Sequence, residues 1–389
     1  MLKLKKKVLN IFLKLTHDRR NFHDLDISKN FINNHSSFKY LKNINLSDDA
    51  INRVFQYAQY LRTTGSDVNK KKDLWDNVSK KEDRDKFMNI LLSHDKSNFL
   101  HLIENFNKSS LAYGFSNYYN YHELVSSKIK RKKEFYRFVD TLISFAEYRK
   151  LIKVYNIEQG GLLPVNIDYN NLIKKVFSYE NKKISTFNSP NYFFGFKSDN
   201  EFYFLKDLKS YYSALKLNNI INLYDLKEVN EIGGGLGYTS YYFNQINKKK
   251  YNLYDIPYVS LSQACFLLSS NNSNLVHLAG EEVKDVHKLF LRPYWKIFDI
   301  KECDQTLWFN QDSFPEINLD ISKKYIDKIS TSKKSYLFSI NQEACFNNFI
   351  DGYQHPVHEL ISGNKNFKLL NRSRDFLRNG YIEELYKLD

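Results

Sequence analysis

Cysteine is scarce in this 389-residue chain: Cys265, Cys303 and Cys345 lie far apart and form no Cys-x-x-Cys pair. That excludes a disulfide framework and a thiolate zinc site, and it makes a reducing cytoplasm the expected compartment. Long apolar runs are also lacking, and nothing approaches the ~20 residues that a membrane-spanning helix requires. The beginning, Met1 to Leu15, is basic, but Asn10 and Lys14 interrupt its apolar run, so a cleavable signal peptide is not expected. An amphipathic helix that touches the inner face of a membrane remains compatible with that pattern, as does a plain terminal helix.

What is abundant is buriable surface: 42% of residues are hydrophobic and 16% aromatic, enough for two domains at this length. The net charge of +14 would allow nucleic-acid binding. Its lysines, however, are spread through an Asn-, Tyr- and Phe-rich background rather than gathered in a patch, so a nucleic-acid partner is not expected. The run Lys128 to Lys133 has no interleaved aromatics and reads as a solvated helix end.

Residues 1–165 read as a mainly helical N-terminal domain. Asp48 to Leu61 opens with capping residues and carries helix-spaced apolar positions, and Phe135 to Leu151 repeats the pattern. Gly160-Gly161-Leu162-Leu163-Pro164 breaks the helical register and marks the expected boundary. In residues 166–389, strand-like runs alternate with helix patterns, which predicts an α/β, doubly wound sheet with its ligand crevice at the carboxyl ends of the strands. Five strands are expected, at Leu226 to Asn230, Tyr251 to Tyr254, Asn274 to Leu278, Thr306 to Phe309 and Ser335 to Ile340. Phe367 to Leu370 and Tyr381 to Tyr386 would close the sheet.

Glu231-Ile232-Gly233-Gly234-Gly235-Leu236-Gly237 is the most informative stretch, followed by Asp255 at the tip of the second expected strand. Glycines are needed where backbone must approach a ligand or take positive φ, and the helix from Tyr238 offers free N–H groups. A dinucleotide fingerprint starting at Gly233 would need glycine or alanine where Tyr238 stands; starting at Gly235, it would need one where Ser240 stands. What fits is acidic-x-Gly-x-Gly-x-Gly, which resembles the first motif of class I S-adenosylmethionine (SAM) methyltransferases. Asp255 is then placed to accept both ribose hydroxyls.

The resemblance extends to the bacterial sugar O-methyltransferases, a branch of that class. It is carried by the glycine motif, Tyr254-Asp255-Ile256-Pro257, Phe309 to Ile317 and Ile340-Asn341-Gln342-Glu343. Two tail segments add to it, His358-Glu359-Leu360 and Arg372 to Tyr386. The match covers roughly the last 190 residues, and the sugar assignment rests on it alone. It implies a Rossmann-like class I methyltransferase sheet, mostly parallel with an antiparallel last strand. It also implies a SAM site at Glu231, Gly233, Gly234, Gly235, Gly237, Tyr238, Asp255, Ile256 and Gln311, with Glu231 near the cofactor's amino-acid end. The acceptor would be a sugar or glycan, free or linked to a nucleotide or lipid, in surface-polysaccharide biosynthesis.

Methyl transfer from a sulfonium is an in-line displacement, and a sugar hydroxyl needs a general base as the bond forms. Asp312, Glu343, His355 and His358 follow the fourth and fifth strands or lie in late loops; of the two histidines, His358 belongs to the matched tail. The expected catalytic set is therefore Asp312, Glu343 and His358. By analogy, Asp312 and Glu343 would also hold a divalent cation such as Mg. Arg372, Arg374 and Arg378 offer either an anion site or salt bridges. Glu281 and Glu282 fall where class I enzymes place groups near the adenine, and His277 reads as a core histidine. Other readings are a non-sugar small-molecule or lipid acceptor, an NAD-linked oxidoreductase and a non-catalytic binding protein. The Asn/Asp-Pro-Pro-Tyr/Phe motif of base methylation is absent after the fourth expected strand.

Overall fold

The computed structural model describes residues 23, 28–39, 46–65, 81–106, 109–112, 124–154, 167–187, 193–270, 273–301, 303–343 and 354–388. Met1 to Leu15, the Gly160–Pro164 boundary and Cys345 lie outside the described residues. Helices come first in the chain: α1 (Lys29–His35), α2 (Asp48–Thr64), α3 (Lys81–Leu92), α4 (Lys96–Glu104), α5 (Lys128–Tyr148) and α6 (Tyr169–Val176). Short strands β1 (Ser36–Lys39), β4 (Phe193–Ser198) and β5 (Glu201–Tyr203) form a three-stranded sheet, and β2 (Ser178–Tyr179) pairs with β3 (Lys182–Lys183).

Helix α2 starts where expected because the Ser47 hydroxyl accepts from the Ala50 N–H, with Asp48 and Asp49 in the first turn. Ala50, Ile51, Val54, Phe55, Ala58 and Leu61 are buried at the three- and four-residue spacing of one helix face. Helix α5 begins earlier than the pattern from Phe135 indicated, with the basic run as its expected solvated end. Its first turns are the basic run Lys128 to Lys133 itself, capped by Ser127. Positive charge opposes the dipole at a helix start, so the buried stretch from Phe135 to Phe145 must stabilise it instead.

The remaining elements are α7 (Leu205–Leu223), β6 (Glu228–Ile232), α8 (Tyr238–Ile246), β7 (Lys250–Asp255), α9 (Pro257–Leu268), β8 (Val276–Leu278), β9 (Leu289–Pro293), β10 (Thr306–Gln311), α10 (Leu319–Ser330), β11 (Ser335–Gln342), α11 (Val357–Ile361), β12 (Phe367–Arg374) and β13 (Tyr381–Leu388). Eight strands form one sheet in the order β12-β13-β11-β10-β6-β7-β9-β8. All neighbouring pairs are parallel except the two that β13 makes, with β11 and with β12. A mostly parallel sheet whose last strand runs against it, with a switch point between β6 and β10, is the expected Rossmann-like class I methyltransferase architecture.

One strand assignment is corrected. Ser273–Leu275 is a 3-10 turn, and β8 is only the edge of the sheet. The strand beside β7 is β9, which the sequence reading missed. Its apolar run, Leu289-Phe290-Leu291, is three residues long before Arg292 and Pro293, too short to give a period.

The main core runs across the expected boundary. It joins Leu61, Phe99 and Phe145 of the helical part to Leu253, Leu261 and Phe309 around the sheet, while a second cluster under α10 fills the other face. Arg53 of α2 adds a polar clasp, with Nε 2.6 Å from Glu281 and Nη2 donating to the Val276 carbonyl at 2.7 Å. Among the described residues no helix is long and apolar enough to cross a membrane.

Candidate active site

Strand β6 delivers the chain to the switch point, where Gly233, Gly235 and Gly237 take φ of 75°, 58° and 80°. Gly237 is also the residue that precedes α8. Space demands glycine as much as conformation does. A Cβ on Gly233 would stand 2.3 Å from Ser313 Oγ; one on Gly234 would stand 2.4 Å from Leu253 Cδ2 and 2.9 Å from Glu231 Oε2. The turn is thus pressed between β7 and the loop after β10. The Ser313 hydroxyl and the Asn310 amide both donate to the Ile232 carbonyl, at 3.0 and 2.9 Å.

Asp255 ends β7 and is held against this turn. Its Oδ2 accepts from the Gly235 N–H and from Gln263 Nε2, both at 3.1 Å, and its Oδ1 accepts from the Ile256 N–H at 2.9 Å. Ile256 immediately precedes α9, whose first residue is Pro257. Gln263 Oε1 is buried without a hydrogen-bond partner among the described residues.

Glu231 lies beneath the turn and is almost wholly buried, accepting from the Tyr251 hydroxyl at 2.9 Å. Burial pushes its carboxyl up to about 7, only partly offset by that hydrogen bond and by the charge of Lys206. No lysine or arginine pairs with it among the described residues. A buried acid of this kind fits an incoming ammonium group. Tyr238 opens α8, its ring buried 4.6 Å from that of Phe187, so it offers backbone rather than side chain to the turn. Gln311 is buried, its Oε1 accepting from Ser213 Oγ at 2.8 Å.

Asp312 follows β10 with φ of 58°. Arg378 Nη1 donates to both its oxygens at 2.9 Å, and Lys206 Nζ stands 3.8 Å away. Burial alone would raise its pKa, but Arg378, Lys206 and Lys209 outweigh that and hold the carboxyl at about 2. So acidic a group is a weak proton acceptor. Arg378 is itself fixed, with Nε 3.1 Å from Asp375 and its guanidinium 3.7 Å from the centre of the Tyr381 ring.

Glu343 and His358 come together past the end of β11, with His358 Nδ1 3.0 Å from Glu343 Oε1. Arg372 of β12 bonds both Glu343 and Glu384. Glu343, His358 and Glu384 each offer a ligand atom within 4.8 Å of the others, but Arg372 is already paired with both carboxylates. Asp312 is not in that group. The two carboxylates expected to share an ion are each engaged by a separate arginine. His277 is buried, with Nε2 3.0 Å from the Glu281 carbonyl, while the Glu281 side chain serves Arg53 rather than a ligand.

Sequence reasoning missed the groups that face Asp312. Burial, then the charges of Arg378, Arg137 and Lys206 less that of Asp312, brings Lys209 of α7 down to about 7. Burial and the charge of Asp312 push Glu316 up to about 8. The signal was the spacing of Lys206, Lys209 and Ser213 on one face of a helix just before the glycine turn.

No protein-family model and no curated protein matches the chain. Among solved structures it is similar to the mitomycin 7-O-methyltransferase MmcR, at 12% identity and a TM-score of 0.35 over 47% of this chain and 55% of that one. It is also similar to human N-acetylserotonin methyltransferase in complex with SAM, at 10% and 0.29 over 47% and 56%. A SAM-dependent methyltransferase from Clostridium acetobutylicum gives 13% and 0.33 over 46% and 91%. The chain thus spans little more than half the length of the first two. The strand order itself establishes the fold, and likenesses this distant bear on nothing finer.

Proposed function

We propose that the protein transfers a methyl group from SAM to an acceptor hydroxyl, and that the acceptor is a sugar in a glycan or its activated precursor. The observation that carries the reading is the pairing of a glycine turn at the switch point with two buried acids, Glu231 beneath it and Asp255 beside it. SAM, when bound, supplies an electrophilic methyl group. The turn admits it without side chains in the way, Asp255 accepts from ribose hydroxyls, and Glu231 neutralises the ammonium of the amino-acid end. The methyl would then face the carboxyl ends of β10 and β11, so the acceptor belongs among α7, the loop after β10 and the β12–β13 hairpin. Sugar is favoured by the sequence resemblance.

Calorimetry with SAM and with NAD tests the donor, and saturable binding of NAD without SAM would sink the reading. For the acceptor, glycan and small-molecule extracts of cells lacking the gene would be incubated with methyl-labelled SAM and the protein. Label entering a sugar is the expected result; label entering only a lipid or another small molecule moves the acceptor. Participation of Mg belongs to the proposal only while EDTA lowers turnover. Peripheral membrane contact through Met1 to Leu15 is tested by liposome co-sedimentation of the chain with and without that segment.

A further inference from the structure

The methyl-transfer reading needs a proton acceptor, and the residues first expected to serve are committed elsewhere. Asp312 is clamped by Arg378, and Glu343 and His358 are bonded to one another beyond β11. The geometry points to another group on a different element. We propose that the Nζ of Lys209 takes the proton of the acceptor hydroxyl.

Helical spacing places it. Lys206 and Ser213 lie three residues before and four after Lys209, on the same face of α7. Lys206 Nζ stands 3.8 Å from Asp312, and Ser213 Oγ donates to Gln311 Oε1 at 2.8 Å. Both contacts end on the tip of β10, so Lys209 projects over that tip between them. The same tip abuts the glycine turn, because Ser313 Oγ bonds the Ile232 carbonyl at 3.0 Å. A methyl donor seated at the turn and a hydroxyl beneath α7 would therefore meet at Lys209. The residue as a whole is half-buried, with its amine the more enclosed part.

The surroundings supply the chemistry. On its own helix Lys209 has Lys206; from α5 it faces Arg137, which Glu134 pairs at 3.3 Å; from the loop after β10 it faces Asp312, whose charge also acts on Glu316. The hairpin adds Arg378, backed by Asp375 and Tyr381. Burial and this excess of positive charge bring Lys209 down to about 7, so a substantial fraction is neutral amine at physiological pH. Glu316, raised to about 8, is mostly in its acid form there and has no free site for a proton. In the step, the acceptor O–H bond breaks as the O–CH3 bond forms, the S–CH3 bond breaks with its electron pair left on sulfur, and the proton becomes the third hydrogen of the Lys209 ammonium. Loss of that proton to water restores the amine.

This inference rests on the methyltransferase reading, and its test separates the two. In the wild-type protein, competitive acetylation from pH 5 to 11, read by mass spectrometry, should show Lys209 titrating near 7 while surface lysines titrate near ~10.4. Titration of Lys209 together with the surface lysines would overturn the proposal without any variant having to fold. Lys209→Met and Lys209→Arg, given methyl-labelled SAM and the extracts described above, should each lose roughly 10²- to 10⁴-fold in kcat. Their SAM Kd by calorimetry should stay within about twofold of wild type, a change worth only ~0.4 kcal/mol. If the wild type binds SAM and methylates while Lys209→Met keeps most of its turnover, the proton role falls and the methyltransferase reading stands. If the wild type binds no SAM, both fall.

Discussion

Arg378 holds both carboxylate oxygens of Asp312 through a single nitrogen, at 2.9 Å each, across 66 residues of chain. The arginine is buried, and Asp375 and the Tyr381 ring immobilise it, so the pair locks the β12–β13 hairpin to the tip of β10. Removing the carboxylate leaves a buried cation half-compensated. Asp312→Ala should therefore cost about 3 kcal/mol in urea unfolding, the low end for a broken buried pair because Asp312 is partly exposed. Since its folded pKa is depressed, the stabilisation is present above the unfolded value of 3.8 and is lost as pH falls through about 2. A variant as stable as wild type at pH 7 would show that the clamp is not structural.

Gly234 has no left-handed φ to explain it, and space alone holds the position. Its absent Cβ would strike the buried Leu253 at 2.4 Å and Glu231 Oε2 at 2.9 Å. Gly234→Ala should destabilise by about 1–3 kcal/mol through overpacking and, by pushing Glu231 aside, should weaken SAM binding about tenfold or more. Calorimetry with SAM alongside thermal unfolding reads both effects. Unchanged SAM affinity would break the proposed link between this glycine and the acid under it.

The glycine turn and Asp255 were legible in the sequence because their constraints are local: positive φ, close backbone approach and a carboxylate at a strand tip leave marks within 25 residues of one another. That the sheet is mostly parallel followed from alternation of strand and helix patterns, whereas the order of its strands came from the structure. Strand β9 was not legible, being a three-residue apolar run with no period to read. The partners of the expected catalytic residues were equally hidden. Nothing in Asn310-Gln311-Asp312 announces Arg378, and nothing near Arg53 announces Glu281, 228 residues away. Such pairs are set by how the chain returns to the sheet, and single-sequence periodicity carries no information about that. For the same reason Lys209 was passed over as one of 58 basic residues until its helix was seen to cross the strand tips.

Glu231 should trade stability for binding. Its folded pKa, about 7, lies above the ordinary 4.5, so the native state binds more proton than the unfolded chain between those values. Stability therefore falls as pH rises from about 4.5 through 7, and the cost is complete above it. Glu231→Gln, whose amide oxygen can still accept from Tyr251, should be more stable than wild type at pH 8 by up to about 3 kcal/mol and unchanged at pH 4. It should also bind SAM more weakly, having lost the charge that meets the ammonium. Tighter binding by the variant would mean that the acid faces no cation and would remove Glu231 from the site.

The same direction, in a higher pH window, is expected at His23, which reaches α5 from the start of the chain. Its Nδ1 lies 2.8 Å from Asp140 and its Nε2 3.2 Å from Glu147, two carboxylates seven residues apart on one helix face. Burial would lower the imidazole pKa, but hydrogen bonds and charge from both acids outweigh it and leave it at about 9. Because the folded value exceeds the unfolded 6.5, the stabilisation is full below 6.5 and is lost as pH rises through about 9. Urea unfolding at pH 6 and pH 9.5 should differ by up to about 3 kcal/mol more in wild type than in His23→Asn. If the two proteins show the same pH slope, the imidazolium does not fasten the first segment to α5, and docking there rests on apolar contacts such as Phe31 against Phe135.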